Sequence, residues 1–143
     1  MLSKQYLAGF FDGDGSVGIR KLVKKEGNPA YNVAIVLSNT FLEILKLVEK
    51  QYGGFTYKNK MYNPNSKQGY QWKCSSLLAI KFLKDIFPFL VVKKARVEFV
   101  LNNAHLFHGK RWGKKGMPKK LTATRQKIFE ECKKMNQQGL KSS

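Results

Sequence analysis

Acidic side chains are scarce in this 143-residue chain: nine Asp and Glu residues stand against 27 Lys and Arg residues, leaving a formal net charge of +18. This excess of positive charge opposes compaction and favours a polyanionic partner, either a nucleic acid or an acidic membrane surface. Because 43% of the residues are apolar and 13% are aromatic, the chain is not a disordered basic tail. Its length fits one domain, residues 1–143, built around one hydrophobic core.

Long hydrophobic runs are also missing. The longest strongly apolar stretch, residues 87–92, contains a proline and is far shorter than the ~20 residues of a membrane span. Two aspartates interrupt the apolar stretch near the N-terminus, which argues against a secretory signal. Cys74 and Cys132 lack the spacing of metal ligands, so we interpret them as reduced thiols, with a disulfide between them as the open alternative. We therefore expect an intracellular protein, in a prokaryotic cytoplasm or an organelle, that is neither secreted nor bound to a membrane.

Hydrophobic periodicity predicts an α-β-β-α-β-β-α-α-α order of elements, which is an α+β fold class. The predicted helices cover residues 3–13, 40–52, 76–87, 89–107 and 121–137. The predicted strands cover residues 16–24, 31–38, 55–61 and 70–75, and they pair as two hairpins. We expect the core of the domain within about residues 2–107, followed by a basic loop at 109–120 that contains six Lys or Arg residues and no acid.

An Asp-Gly-Asp-Gly segment follows the first predicted helix and contains two of the three aspartates of the chain, Asp12 and Asp14. A carboxylate at a helix C-terminus faces the negative end of the helix dipole, which costs a few tenths to ~1 kcal/mol unless a cation is near. Carboxylate and open carbonyl oxygens suit Mg²⁺, with substrate phosphates completing the coordination sphere. A simple Asp-Gly turn without a metal is the alternative.

The same helix carries a stripe that suits close packing against another helix. Tyr6, Gly9 and Gly13 follow i, i+3, i+7 spacing, and glycine at these positions lets a second backbone approach closely. Because an interior helix glycine costs up to ~1 kcal/mol, two in one short helix need a reason. If the partner is an identical chain, a two-fold axis brings two Asp14 carboxylates together. The predicted dimer interface comprises Tyr6, Gly9, Phe10, Asp12 and Gly13.

Residues 7–15, Leu-Ala-Gly-Phe-Phe-Asp-Gly-Asp-Gly, closely resemble the motif that names the LAGLIDADG homing endonucleases. They depart from it at Phe10, Phe11 and Gly13 and keep both acids. The element order resembles the αββαββα order of the family, and residues 88–94 resemble its segment that carries a basic active-site residue. The resemblance covers about residues 2–103 and implies the LAGLIDADG fold, with an antiparallel β-sheet DNA-binding saddle and additional C-terminal helices.

The resemblance also implies roles for the acids. Asp14 corresponds to the final acid of the motif, a divalent-metal ligand, and Gly13 would offer its carbonyl oxygen to the same metal. The implied cofactor is Mg²⁺, although Mn²⁺ or Ca²⁺ could occupy the site. Asp12 corresponds to the first acid, which in the family mainly helps to hold the helix ends.

Two further catalytic residues are implied with alternatives. The basic pocket residue corresponds best to Lys93, with Lys94 as the alternative if the register slips by one residue. Its role would be to stabilise charge on the phosphate or to orient the attacking water. The polar residue that orders this water corresponds best to Asn39, with Ser38 as the alternative.

The function implied is that of a site-specific homing endonuclease encoded within a mobile intron. Such an enzyme hydrolyses both strands of a long pseudo-palindromic duplex and leaves staggered 3′ overhangs. Phosphodiester hydrolysis needs an activated water and metals that neutralise the developing charge. One acid per chain is too few for a two-metal site, and the motif occurs once. We therefore expect a homodimer on double-stranded DNA.

Each predicted strand has one apolar side and one polar or basic side. In the third strand, the alternation predicts that Phe55, Tyr57 and Met61 lie on the apolar side. A curved antiparallel sheet fits the major groove, where Arg and Lys read guanine and Asn and Gln read adenine; a merely solvated outer face is the alternative. The predicted DNA-binding residues are Arg20, Leu22, Lys24, Asn32, Ala34, Ser38, Thr56, Lys58, Lys60, Gln71 and Lys73, together with Lys94.

Other interpretations stay open. His105 and His108 have an i, i+3 spacing but no third ligand nearby, which favours core or phosphate contacts over a metal site. The basic loop lacks the apolar face of a membrane-surface helix, which favours contact with the DNA backbone. Because the family also includes intron maturases, binding of host intron RNA is the main alternative function, and a noncatalytic DNA-binding regulator is another. Asp14 and Lys93 favour the nuclease, since a pure binder would need neither.

Overall fold

The computed structural model describes residues 1–107 and 118–141. Its helices and strands are α1 Lys4–Asp14, β1 Gly15–Leu22, β2 Ala30–Asn39, α2 Leu42–Tyr52, β3 Phe55–Lys58, β4 Tyr70–Ser75, α3 Ser76–Ile86, α4 Lys94–Asn103 and α5 Lys119–Lys141. Short 3-10 turns lie at Phe87–Phe89 and Ala104–Leu106. The predicted element order and the α+β class are confirmed. Most of the predicted basic loop, together with His108, lies outside the described residues.

Helix α1 begins and ends as the sequence predicts. Ser3 caps its start, because the Ser3 hydroxyl accepts a hydrogen bond from the Tyr6 backbone N–H at 3.1 Å. At the other end the chain passes from Asp14 directly into β1. Only glycine fits at position 15, since an added Cβ would lie 2.8 Å from the carbonyl oxygen of Phe11. This close approach places Asp14 at the junction of the helix and the sheet.

The four strands form one antiparallel sheet in the order β1-β2-β4-β3. Strands β1 and β2 form the first predicted hairpin and β3 and β4 form the second, while β2 pairs with β4 at the centre. One face of this sheet packs against the helices. Its buried side chains alternate along three strands as predicted: Val17, Ile19, Tyr31, Val33, Ile35, Leu37, Trp72 and Cys74.

Strand β3 differs from its predicted orientation. Phe55 pairs with Lys73, and Tyr57 pairs with Gln71, so both aromatic rings share the outer face with these polar residues. The prediction that Phe55 and Tyr57 face the core is therefore wrong, and their side chains are 66% and 48% exposed. Because β3 is a four-residue edge strand, its pairing with β4, and not its own alternation, decides which side chains point outward.

Thr56 and Lys58 of the same strand also lie on the face opposite to the predicted one. Thr56 pairs with Trp72 and Lys58 with Tyr70, which places both on the helix-covered face of the sheet. Thr56 donates its hydroxyl hydrogen to the Glu49 carboxylate at 2.8 Å. The strand register therefore does not support the predicted contact of Thr56 and Lys58 with DNA through the outer face. Lys60 lies beyond the end of β3, just as Lys24 lies beyond the end of β1.

The predicted helix over 89–107 is also shorter in the structure. Leu90 is extended (φ −75°, ψ 147°), and α4 begins only at Lys94. The backbone N–H groups of Val91 and Lys93 instead donate to the carboxylate of Asp12, at 2.8 and 3.0 Å. A side chain about 80 positions away along the chain thus replaces the helical hydrogen bonds that local periodicity predicts.

Helix α5, predicted over 121–137, runs from Lys119 to Lys141 and packs along the edge strand β1. Asn136 donates its side-chain amide to the Val17 carbonyl at 3.1 Å. The Gln126 side-chain oxygen accepts hydrogen bonds from the Lys21 ammonium, at 2.7 Å, and from the Tyr31 hydroxyl. These contacts cover one edge of the sheet. No helix in the described parts of the chain has the length and apolarity that a bilayer crossing requires.

Cys74 and Cys132 are both buried free thiols, which confirms the predicted reduced state. Burial raises the pKa of the Cys74 thiol to about 11, and burial also raises the pKa of Cys132. Because both thiols stay protonated near neutral pH, neither is an activated nucleophile there. They belong to the hydrophobic core.

Candidate functional site

Asp14 is the exposed last residue of α1. Among residues 1–107 and 118–141, no hydrogen bond or ion pair engages its carboxylate. An unengaged acid at the negative end of a helix is unfavourable in isolation. Next to it, a Cβ at Gly13 would meet no atom within 4 Å, so the space beside this residue is open. Carboxylate and carbonyl oxygens here are the hard donors that Mg²⁺ prefers, so the residues fit the predicted metal.

Lys93 supplies the cation that this helix end needs. Its ammonium group donates to the carbonyl oxygens of Asp12, at 2.6 Å, and Phe11, at 3.2 Å. Burial lowers the pKa of Lys93 below its usual value, Arg96 lowers it further, and the charges of Asp12 and Asp14 act in the opposite direction. The structure thus brings Lys93 to the end of α1 that carries Asp14.

Lys94, the alternative basic residue, lies elsewhere. Its ammonium nitrogen is 5.5 Å from the centre of the Phe87 ring, a cation–π distance. Of the two neighbouring lysines, only Lys93 donates to the carbonyl oxygens of α1 within the described structure. This geometry favours Lys93 for the predicted basic role.

Asp12 binds backbone N–H groups, so of the two acids it is Asp14 that has the open carboxylate. Both of its carboxylate oxygens accept hydrogen bonds, one from the Val91 N–H and the other from the Lys93 N–H. These bonds tie the segment before α4 to the end of α1, and they fix the backbone from which the Lys93 side chain extends. The contacts agree with the structural role that the motif resemblance implies for Asp12.

Asn39 is the last residue of β2 and lies near Asp14. Its side-chain oxygen accepts a hydrogen bond from the Phe41 N–H at 2.8 Å, which shapes the turn before α2. Asn39 and Asp14 line the same shallow concavity of about 420 Å³, together with Gln5, Tyr6, Gly9 and Phe10. Ser38, the alternative, pairs with Gln71 on the outer sheet face instead.

The predicted interface stripe of α1 is open in the single chain. A Cβ at Gly9 would meet no atom within 4 Å, as at Gly13, and the Tyr6 side chain is 52% exposed. Phe10 is half-buried and holds its ring edge-on to Tyr6, with 6.3 Å between centroids. The stripe therefore offers a second helix a surface without side-chain obstruction beside Asp14.

The outer face of the sheet carries most of the predicted nucleic-acid contacts. Strand pairing places seven of the predicted residues on this face: Arg20, Leu22, Asn32, Ala34, Ser38, Gln71 and Lys73. Sequence reasoning missed two outward side chains, Phe55 and Tyr57, because only the register with β4 reveals them. The face includes a concavity of about 570 Å³ whose lining contains Arg20, Lys73 and both aromatic residues.

A metal at Asp14 needs donors from beyond the acids of one chain. Within residues 1–107 and 118–141, no three His, Cys, Asp or Glu side chains gather into a group that could hold a metal ion. His105 lies in the 3-10 turn before the undescribed segment, and His108 lies outside the described residues. The other donors to a metal ion bound at Asp14 must therefore be backbone carbonyls, waters, a ligand or groups of a second chain.

The sequence profile of the LAGLIDADG endonuclease family matches residues 7–98. The chain belongs to this family. The predicted LAGLIDADG resemblance is thereby confirmed, and α1 is the LAGLIDADG helix of this protein. No curated protein sequence matches the chain.

Solved LAGLIDADG structures share the fold. The homing endonuclease I-CvuI, in complex with its target in the presence of Ca, is 17% identical, and the alignment covers 90% of this chain and 93% of that chain with a TM-score of 0.61. The archaeal intron-encoded I-Vdi141I, complexed with DNA, is 14% identical over 91% and 96%, with a TM-score of 0.55. I-GzeII, in complex with its DNA target, is 18% identical over 90% of this chain and 43% of that chain, with a TM-score of 0.59.

Proposed function

We propose that this LAGLIDADG protein is a homodimeric, site-specific homing endonuclease that hydrolyses both strands of duplex DNA with a divalent metal. The observation that carries the proposal is the arrangement at the end of α1, where the open Asp14 carboxylate and the Lys93 ammonium lie at one helix terminus. A protein that only binds DNA has no need for an unengaged acid and a partly buried cation at this position.

Asp14 and the Gly13 carbonyl would hold Mg²⁺, and Mn²⁺ or Ca²⁺ could take its place. When bound, such an ion neutralises charge on phosphate oxygens and lowers the pKa of a coordinated water. Lys93 stabilises negative charge on the scissile phosphate, since its ammonium is already fixed by two carbonyl oxygens. Asn39 orders the attacking water from the neighbouring strand end. I-CvuI structures with DNA include Ca or Mg, which supports a divalent ion.

A homodimer follows from the single motif and the open stripe. Packing of two α1 helices along Tyr6, Gly9 and Gly13 would bring two Asp14 carboxylates to a common axis, one for each strand. This chain aligns with 43% of the longer I-GzeII chain, which supports a complete site built from two such units.

The outer sheet face would lie in the major groove of each half-site. The net charge of +18 supplies the phosphate attraction, and the outward residues of β1, β2 and β4 supply base contacts. Two sheets related by a two-fold axis cover a long pseudo-palindromic target. We further propose that cleavage leaves staggered 3′ overhangs and that the gene lies within a mobile intron.

The test is cleavage of a plasmid library of randomised targets with Mg²⁺. Specific double-strand cuts support the proposal, and Asp14→Asn should abolish them while DNA affinity stays within about three-fold, because the acid lies outside the predicted base-reading face. Binding of DNA without any cutting would point to a noncatalytic regulator. Preferential binding of structured intron RNA would point to a maturase.

A further inference from the structure

We propose that Phe55 and Tyr57 are specificity-determining residues that recognise the C5-methyl group of thymine in each half-site. This inference rests on the proposed function, since it assigns a role within the DNA-binding sheet. It concerns two side chains that the amphipathic pattern places in the core and that the structure places on the opposite face. The recognising feature is an apolar surface inside a basic groove.

Exposed aromatic rings on a sheet face need an explanation. Phe55 is 66% exposed and Tyr57 is 48% exposed, and their ring centroids lie only 6.3 Å apart. Adjacent rings of this size form a contiguous apolar patch rather than scattered surface residues. Such patches on soluble proteins mark binding surfaces.

Toward the sheet centre, the patch borders a row of mixed polarity. Lys73 pairs with Phe55 on one side and with Val36 on the other, so Val36, Lys73 and Phe55 form one row across the face. The next row of β2 and β4 pairs Ala34 with Ser75. The lining of the concavity of about 570 Å³ thus combines Ala34, Val36 and Ser75 with the two aromatic residues and Lys73.

The charges beside the patch select a nucleic acid over an apolar protein surface. The Lys73 ammonium lies 5.5 Å from the centre of the Tyr57 ring, a cation–π contact that helps to hold both groups. Arg20 lines the same concavity. A duplex satisfies both features, because its phosphates pair with the cations and its groove presents base edges to the rings.

Thymine is the base that fits this chemistry. In the major groove only thymine presents a methyl group, and apolar side chains read it by contact. Only glycine fits directly before the first ring, because Gly54 has φ +85° and an added Cβ would lie 2.9 Å from Trp72 Nε1.

The experiment compares thymine with uracil, which lacks only the methyl group. Duplexes bound by the full chain are selected from a randomised library, then resynthesised with thymine or with uracil, and their affinities are measured. We expect weaker binding of the uracil duplexes by about four-fold for each methyl contact, the factor expected for burial of one carbon. The double variant Phe55→Ser, Tyr57→Ser should bind thymine and uracil duplexes equally.

Leu47→Ser is the matched control, because Leu47 is a 50% exposed apolar residue of α2 outside the sheet, and it should keep the thymine preference. Circular dichroism checks that each variant is folded. If the wild type binds and cleaves DNA but has equal affinity for the thymine and the uracil duplexes, this inference is overturned and the proposed function is not. The same holds if the preference persists in the double variant. A chain that binds no duplex at all overturns the proposed function as well.

Discussion

Asp12 and Asp14 lie two positions apart, yet the structure predicts opposite effects when each is replaced by asparagine. Asp12→Asn removes the charge from a carboxylate that accepts two backbone N–H groups, those of Val91 and Lys93. It also leaves one oxygen where two are needed. Asp14→Asn removes a charge that no hydrogen bond or ion pair in the described structure engages, at the negative end of α1.

The magnitudes follow from these contacts. Hydrogen bonds to charged groups contribute about 1.5–3 kcal/mol each, and both acceptors of Asp12 are only partly shielded from water. We therefore expect Asp12→Asn to lower the free energy of unfolding by about 2 kcal/mol. Removal of an acid from a helix C-terminus gains a few tenths of a kcal/mol, so Asp14→Asn should leave stability unchanged or slightly raised.

The assay is urea unfolding followed by circular dichroism, without divalent metal and at one protein concentration, because dimerisation makes apparent stability depend on concentration. The two variants carry the same chemical change and the same change in net charge, so each is the control for the other. Equal destabilisation by both substitutions would refute the assignment of a structural acid and an open acid. Asp12→Asn with wild-type stability would refute the proposed tie between α1 and α4.

Four further predictions follow from the site and its frame. Lys93→Met should reduce the cleavage rate by at least about 100-fold, the scale of one lost charge-stabilising group, whereas Lys94→Met should reduce it less than three-fold in the same single-turnover assay. Because burial lowers the pKa of Lys93 below its usual 10.5, wild-type activity should fall as pH rises through that lowered value, before free lysines titrate. Gly9→Ile should keep the fold, since the site is open within the chain, but sedimentation should show monomers and cleavage should be lost. Ser76→Gly should raise stability by about 1 kcal/mol in urea unfolding, since Ser76 has φ 60°, a left-handed conformation that costs most residues 1–2 kcal/mol.

The central strands were predictable because one face of each is buried. In β2 the alternation of Tyr31, Val33, Ile35 and Leu37 matches burial residue by residue, since a slip by one position would expose the whole apolar set. Strand β3 has a neighbouring strand on one side only, and its aromatic residues Phe55 and Tyr57 lie on the outer face. At an edge strand, hydrophobic alternation is therefore a weaker guide than the register of the hairpin.

The candidate site was predictable in its residues and less so in its contacts. The motif at residues 7–15 identified Asp14 and, with the segment at 88–94, suggested Lys93. The sequence could not show that Asp12 binds the backbone of the later segment or that the Lys93 ammonium caps α1, because both contacts join positions about 80 apart. Long-range hydrogen bonds of this kind leave no trace in local periodicity.

In the proposed enzyme, Lys93 would couple the stability of the fold to the chemistry of the site. The C-terminal carbonyls of α1 and the two nearby carboxylates concentrate negative potential, and the partly buried ammonium balances it before any substrate arrives. Asp12 fixes the backbone of Lys93 while α1 fixes its ammonium group, so the side chain would have little freedom left to lose if a phosphate bound. A cation held in this way needs no reorganisation when charge develops on the phosphate, which is the condition under which electrostatic stabilisation is most effective. The same arrangement leaves Asp14 as the acid at this helix end with no partner in the described structure, and a metal ion bound there would meet a carboxylate without a competing partner.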